Sequence, residues 1–274
     1  MSARHVLLGV TGSVAAVKAP ELCEALLSHG VSVDVVLTES AVKLLQARSL
    51  VCFGGDKRRA DAIRCPTQAT YRGGQPWEKL LALTTEYAER CMTAAAAGGG
   101  ASSGGGEIPA MRMYRDSDEW AAYGAVGTDP VLHIELAKRN RLLLIAPLCA
   151  NTLAAEQPRC GSSSAAKYYD LDDAFAAPLK AAYGPRCIER PFVVAPAMNT
   201  FMWHQRVTSQ HVEVLAGRGV HVVPPVSKTL ACGDTGMGAM ASVEDIVQTT
   251  LRLLEEHVAE EERARREGKP IFTP

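Results

Sequence analysis

The chain has 274 residues, 47% of them hydrophobic, and 29 Lys and Arg against 30 Asp and Glu give a formal net charge of -1. That length can bury a full core, and the near-neutral charge lacks the basic footprint of a nucleic-acid or anionic-membrane partner, so neither partner is expected. The longest apolar runs, such as Leu142 to Ala146, span about a quarter of the roughly 20 residues a bilayer crossing needs.

The eight cysteines form no CxxC pair. In a chain this long they read as free thiols in a reducing compartment, and cytoplasmic localisation is expected. Metal-ligand spacing is absent, so no zinc site is predicted. A strand begins within a few residues of Met1, so no targeting peptide is expected.

In chain order, His5 to Val10 reads as an apolar strand that meets Thr11-Gly12-Ser13. A helical pattern follows through Val14, Val17, Leu22, Ala25 and Leu26 and stops at His29-Gly30. Strand, glycine turn, helix and glycine stop make a βα unit. Val31 to Leu37 is a second strand ending at Thr38, and Ser40 to Arg48 a second helix with Ser40 as its N-cap.

From Cys52 to about Met113 the alternation lapses, and residues 54–110 read as an insertion. Within it Trp77 to Met92 has the pattern of an amphipathic helix, and Ala94 to Gly106 is nearly pure Ala, Gly and Ser. That tract is too poor in apolar side chains to pack and is expected to be a disordered loop.

Order resumes with a strand at Met111 to Tyr114, a helix near Asp118 to Tyr123, a turn at Asp129-Pro130 and a helix from Val131 to Asn140. Arg141 to Ala146 is the next buried strand. Residues 155–190 are irregular, with Pro158, Pro178 and Pro185. Strand Phe192 to Ala195, helix Thr208 to Gly217, strand Val220 to Val223 and a terminal helix Val243 to Arg266 complete the pattern. Strands separated by helices run parallel with right-handed crossovers, so the expected fold is α/β, one doubly wound parallel sheet forming a single domain over residues 1–274.

Several stretches carry chemistry. Gly12, Ser13 and Val14 place backbone N–H groups and a hydroxyl at a helix N-terminus, which favours a phosphate. The third glycine and the acidic residue of a dinucleotide fingerprint are missing, and a plain βα turn accounts for these residues equally well.

Asn151-Thr152 and Asn199 end two central strands, where open α/β sheets bind ligands. Asn offers a donor and an acceptor for a flat heterocycle or a carboxylate; helix capping is the alternative use. The stretch Ala231 to Met240 packs small residues around Cys232 and suits a loop folding over a ligand rather than a helix or strand. A thiol there can donate a proton to a carbanion or enolate. His133 lies between apolar neighbours on a helical stripe with Ala137, and its default reading is a satisfied surface or interface histidine.

Gly12-Ser13-Val14-Ala15, His133, Ala146 to Thr152, Pro196 to Trp203 and Ala231-Cys232-Gly233-Asp234 together resemble the phosphopantothenoylcysteine decarboxylases of the homo-oligomeric flavin-containing cysteine decarboxylase family. The resemblance covers residues 4–50, 111–154 and 191 to about 255, with the motifs in family order. It implies flavodoxin-like (Rossmann-type, three-layer) subunits that trimerise and hold FMN at their interfaces. The implied reaction is decarboxylation of 4'-phosphopantothenoylcysteine to 4'-phosphopantetheine in coenzyme A synthesis.

By motif position His133 is the implied active-site histidine, Asn199 holds the substrate carboxylate and Cys232 protonates the intermediate. Met202 and Ala231 are implied substrate contacts. Ser13 and Thr38, with Gly12 and Val14 beside the first, are implied to bind the FMN phosphate or ribityl hydroxyls, while Ala150, Asn151 and Thr152 border the flavin. The chain ends soon after its last helix, so a monofunctional protein without a fused synthetase domain is expected.

The chain departs from the family pattern after Leu153, where a glycine-rich helix start and an Asp-Asn-Leu segment are usual. The nearest match is Asp172-Asp173-Ala174-Phe175. It puts an added carboxylate near a flavin or phosphorylated substrate, which is repulsive, and Pro178 breaks or kinks the helix that follows. This divergence and the 54–110 insertion support an alternative, a non-catalytic or partner-dependent subunit, phosphatase-inhibitor-like or part of a heterotrimer with a paralogue. A flavin decarboxylase or prenyl-transfer relative with another substrate is a third reading, against which the cysteine loop argues.

Overall fold

A computed structural model describes residues 4–47, 75–96, 108–115, 117–118, 131–155, 190–229 and 235–268. Its centre is a six-stranded sheet of β1 (His5–Val10), β2 (Ser32–Leu37), β3 (Met111–Arg115), β4 (Leu142–Leu148), β5 (Phe192–Pro196) and β6 (His221–Val222). The strand order is β3-β2-β1-β4-β5-β6 and every pairing is parallel. This is the doubly wound sheet that the alternating pattern predicts.

The helices are α1 (Ala19–Ser28), α2 (Glu39–Gln46), α3 (Pro76–Ala96), α4 (Leu132–Arg139), α5 (Ala150–Ala155), α6 (Thr200–Trp203), α7 (Arg206–Gly217) and α8 (Val243–Arg266). They divide between the two faces of the sheet. Val6, Leu8, Val35 and Leu144 pack with Leu26 of α1, Leu80 of α3 and Leu254 of α8. Leu7, Val36, Leu143 and Ile145 pack with Leu136 of α4, Leu153 of α5 and Leu215 of α7.

Burial on both faces is why these strands read as continuous apolar runs rather than as alternating ones. Each fully buried Leu or Val contributes about 1.5–3 kcal/mol. Leu8 or Leu144 replaced by Asp would therefore break the fold at its centre.

Several boundaries differ from expectation, each for a local reason. The helix after Ser13 starts as a 3-10 turn, Val14–Lys18, and becomes α-helical only at Ala19. Pro20 has no amide to donate and fits the first turn of a new helix. Helix α2 begins at Glu39, and its cap is Thr38, not Ser40: the Thr38 hydroxyl accepts from the Ala41 amide at 3.2 Å.

Strand β4 continues through Pro147 to Leu148, with a register shift against β5 between Ile145 and Leu148. Helix α7 starts two residues early, at Arg206, and β6 keeps only His221 and Val222. The amphipathic helix expected from Trp77 to Met92 forms and extends to Ala96. The remainder of the Ala/Gly/Ser tract, the Asp129-Pro130 turn, most of the helix expected near Asp118 to Tyr123, and the divergent segment from residue 156 to 189 lie outside the described residues.

The largest correction concerns the region expected to be a loop. Thr235–Ala239 is a strand, β8, paired antiparallel with β7 (Val226–Thr229) in a separate two-stranded sheet. Its glycines do not prevent pairing; they let the ribbon lie directly on the chain beyond β5.

Candidate active site

From β1 the chain crosses through α1 to β2, whereas β4 is entered through α4 on the opposite face. The chain therefore leaves β1 and β4 toward opposite faces, the arrangement that places a crevice at this switch point. Thr11, fully buried, ties its two sides together. Its hydroxyl donates to the Pro147 carbonyl at 2.8 Å and accepts from the Cys149 amide at 2.9 Å.

The turn after Thr11 is fixed locally. The Ser13 amide donates to the Thr11 carbonyl at 2.8 Å, and the Ser13 hydroxyl caps the 3-10 turn by accepting from the Ala15 amide at 3.4 Å. A Cβ on Gly12 would lie 2.6 Å from Ser40 Cβ, so only glycine allows this turn to approach α2. The need for glycine at position 12 is thus close packing.

Across the crevice, the Ala197 amide donates to the Leu148 carbonyl and the Met198 amide to the Gly238 carbonyl, each at 2.9 Å. Asn199 caps α6 by accepting the Phe201 amide on Oδ1 at 2.8 Å. Capping is therefore one of its uses, and it engages the amide through Oδ1, its acceptor. Gly238 has φ of +135°, and a Cβ there would sit 2.4 Å from the Met198 carbonyl oxygen. A Cβ on Gly236 would sit 2.7 Å from Thr200 Cγ2. Both glycines let the β7–β8 ribbon dock on the corner that carries Asn199.

Between the Ser13 turn, this corner and the ribbon is a cavity of about 260 Å³, lined among others by Ser13, Val14, Lys18, Asn199, Lys228 and Met240. Ser13, Val14 and Asn199, 186 positions apart at the extremes, line one space. Its apolar walls, Val14, Ala197, Met198 and Met240, suit a flat ring system, and the Ser13 hydroxyl and the Lys18 and Lys228 ammonium groups suit an anionic tail.

Other expected residues stand elsewhere. Gly12 faces Ser40, Thr38 caps α2, and Ala150, Asn151 and Thr152 form the first turn of α5, with Thr152 buried. Met202 on α6 is 44% exposed. His133 is the second residue of α4 and does not line the cavity. Ala231 and Cys232 lie outside the described residues, between the ends of β7 and β8.

Cys149 has a distinctive setting. Burial pushes its thiol up, but hydrogen bonds from Thr11 and Thr152 and from the Thr152 and Asn151 amides outweigh it, and the thiol is held below its ordinary range. The Thr152 hydroxyl lies 3.3 Å from Cys149 Sγ. Thr11, Lys18, Lys228 and Met240 are site residues that sequence reasoning missed. Only Lys18, one helical turn beyond Val14, carried a local signal; Thr11 meets its partners across more than 130 residues.

Residues 1–156 and 181–255 match the Flavoprotein family model. A phosphopantothenoylcysteine decarboxylase of Oryza sativa subsp. japonica is 42% identical over 141 residues, 52% of this chain and 57% of the relative. The match thus spans little more than half the length of that relative. A phosphopantothenoylcysteine decarboxylase of Mus musculus is 32% identical over 257 residues, 92% of this chain and 88% of the relative.

Among solved structures, a cysteine-to-serine mutant of a PPC decarboxylase complexed with pantothenoylaminoethenethiol has TM-score 0.58 and 29% identity, covering 93% of this chain and 99% of that one. The FMN binding protein AtHal3 has TM-score 0.56 and 30% identity, covering 92% and 97%. A family match over most of the sequence and a parallel sheet shared with these structures lead to one conclusion: the chain belongs to the Flavoprotein family.

Proposed function

We propose that this protein decarboxylates 4'-phosphopantothenoylcysteine to 4'-phosphopantetheine, with FMN as cofactor, as a cytoplasmic homotrimer serving coenzyme A synthesis. The observation that carries this reading is the convergence of Ser13, Val14 and Asn199 on one cavity walled by the ribbon that leads into Cys232. The decarboxylase names of the rice and mouse relatives support the substrate, and the FMN binding protein supports the cofactor. Among the described residues no helix is long and apolar enough to cross a membrane.

The lining fits FMN by its donor chemistry: hydroxyl, backbone N–H and ammonium groups at Ser13, Val14 and Lys18 beside apolar walls. When bound, FMN supplies reversible two-electron oxidation of the cysteinyl side chain, so that carbon dioxide leaves from a thioaldehyde rather than from an unactivated carboxylate. Asn199 Nδ2 orients that carboxylate by hydrogen bonding. His133 acts at the site from a neighbouring subunit, since it does not line the cavity of its own. Once carbon dioxide has left, Cys232 would supply the proton to carbon, with bound FMN returning the two electrons it had taken. The net change is loss of carbon dioxide and uptake of one proton. Thr38, Ala150, Asn151 and Thr152 are assigned to the FMN site, and Met202 and Ala231 to the substrate, through contacts completed in the trimer.

The test is a visible spectrum of the purified protein, then anaerobic addition of 4'-phosphopantothenoylcysteine to wild type and Cys232→Ser. A yellow trimer that releases carbon dioxide, with the variant stalling at an oxidised product and bleached flavin, supports the assignment. A protein that stays colourless with added FMN and shows no turnover supports the regulatory or partner-dependent alternative, which the departure at Asp172-Asp173 and the 54–110 insertion favour.

A further inference from the structure

Helix α4 carries His133 and has little to hold it. It is eight residues long and Leu136 is its one fully buried side chain. A helix of that length is marginal by itself, because few of its hydrogen bonds are closed and packing must supply the rest. What anchors it is polar. Asp34 on β2, 1% exposed, accepts from Arg139 Nε at 2.8 Å and from Asn140 Nδ2 at 2.9 Å, both on Oδ2. Arg139 Nη2 donates onward to Tyr114 Oη at 3.0 Å, and Arg112 lies 3.6 Å from Asp34 Oδ1.

Asp34 is in register with Leu7 on β1 and Arg112 on β3, and Leu7 packs on the α4 side of the sheet. The carboxylate therefore projects from the sheet under the C-terminal end of the helix. Arg190, entering β5, donates to the Ala137 and Lys138 carbonyls and so holds the helix along its axis. Asp34 grips two side chains on different sides of the last turn, which resists rotation.

Rotation matters because of spacing. His133, Leu136, Ala137 and Asn140 recur at i, i+3, i+4 and i+7 and share one face. Asn140, fully buried, points that face at Asp34. With side-chain atoms about 5–6 Å from the helix axis, a turn of roughly 20° moves the imidazole by about 2 Å. Misplacement by about 1 Å can cost on the order of a hundredfold in rate.

We propose that Asp34 is a positioning residue for His133: through Arg139 and Asn140 it sets the rotation of α4 and so the direction in which the imidazole reaches a neighbouring active site. The effect on turnover rests on the decarboxylase reading; the clamp itself does not. A carboxylate buried at the foot of a core strand is a costly substitute for an apolar residue. Sheet packing alone would be served as well by Val, so the charge is accounted for by the helix it holds.

The test uses the full chain loaded with FMN and the variants Asp34→Asn and Arg139→Gln. Arg139 is one-third exposed, so its variant folds even if Asp34→Asn does not. Hydrogen exchange followed by mass spectrometry is expected to speed up about tenfold or more across residues 132–139 in both, with β1 and β4 unchanged. Turnover is expected to fall about tenfold or more, with KM and the flavin spectrum unaltered, and Arg139→Lys is expected to recover part of it.

Unchanged exchange in α4 overturns the clamp. Faster exchange with full turnover in both variants overturns the positioning role and leaves a purely structural one. If wild type releases no carbon dioxide, the decarboxylase reading fails, and exchange alone still decides whether Asp34 fixes α4.

Discussion

The hydroxyl of Thr11 receives the Cys149 amide at 2.9 Å while donating to the Pro147 carbonyl at 2.8 Å, closing the end of β1 onto the end of β4. Both bonds are made at the switch point, where the two halves of the sheet part. Thr11→Val keeps the volume and leaves the Cys149 amide without the hydroxyl it donates to, while the Pro147 carbonyl keeps only the residue 11 amide at 3.4 Å; the loss costs about 1–3 kcal/mol. Thermal unfolding is expected to fall by about 2–4 °C per kcal/mol. Flavin affinity is expected to drop with it, because the Ser13 turn follows directly on the residue whose side chain fixes the end of β1. An unchanged melting temperature would show that the crosslink is dispensable.

Asn199 has two separable duties. Its Oδ1 caps α6, and Nδ2 is the proposed donor to the substrate carboxylate. Asn199→Asp preserves the cap and is expected to melt with wild type, yet it places a negative charge against the substrate, so substrate no longer bleaches the flavin. Asn199→Ala loses the cap as well, at about 1 kcal/mol. Equal flavin reduction by wild type and Asn199→Asp, read by stopped-flow absorbance at the flavin band, would sink the assignment.

The docking of the β7–β8 ribbon depends on Gly238. A Cβ would meet the Met198 carbonyl at 2.4 Å, in a backbone conformation that L side chains rarely adopt. Gly238→Ala is expected to push the ribbon off the Asn199 corner and cut turnover at least about tenfold, with the parallel sheet intact by circular dichroism. Gly268, also at positive φ but with nothing within 4 Å, is the control position. Gly268→Ala pays only the local backbone strain of about 1 kcal/mol and leaves turnover unchanged.

A buried ionic cluster sets a pH response at the opposite end of the sheet. Glu261 on α8 is 5% exposed and pairs with Arg141 at 3.0 Å and with His257 at 3.2 Å. Burial alone would raise its carboxyl, but the His257 hydrogen bond and the charges of Arg141, His257 and Arg265 bring it below the ordinary 4.5. A depressed carboxyl contributes stability that is fully present above its unfolded value and lost as pH falls through the folded one. Melting temperature is thus expected to be sustained above about pH 4.5 and to fall below it, with a shallower acid slope in Glu261→Gln. Parallel slopes for wild type and variant would rule Glu261 out as a source of the acid sensitivity.

The sequence by itself determined the layers of this protein. Runs such as Leu142 to Ala146 have one stable place, between two helical layers, and amphipathic stretches such as Val243 to Arg266 must cover them. It also marked the ends of β1 and β5 as candidate ligand sites, because Gly12-Ser13 and Pro196 to Asn199 interrupt apolar runs where open sheets expose their edges. Local pattern failed where a contact is remote. The stretch before Met240 reads as a loop until Val226–Thr229 arrives to pair with it, and Thr38 becomes the cap of α2 because β2 stops at Leu37.

Tertiary structure alone decided that Thr11 bridges to Cys149, that Lys18 and Lys228 face one cavity, and that Asp34 holds α4. Each joins groups from 100 to 210 positions apart. Periodicity reports which face of an element is buried; which polar group stands opposite is fixed only when strand order and register bring the two surfaces into contact.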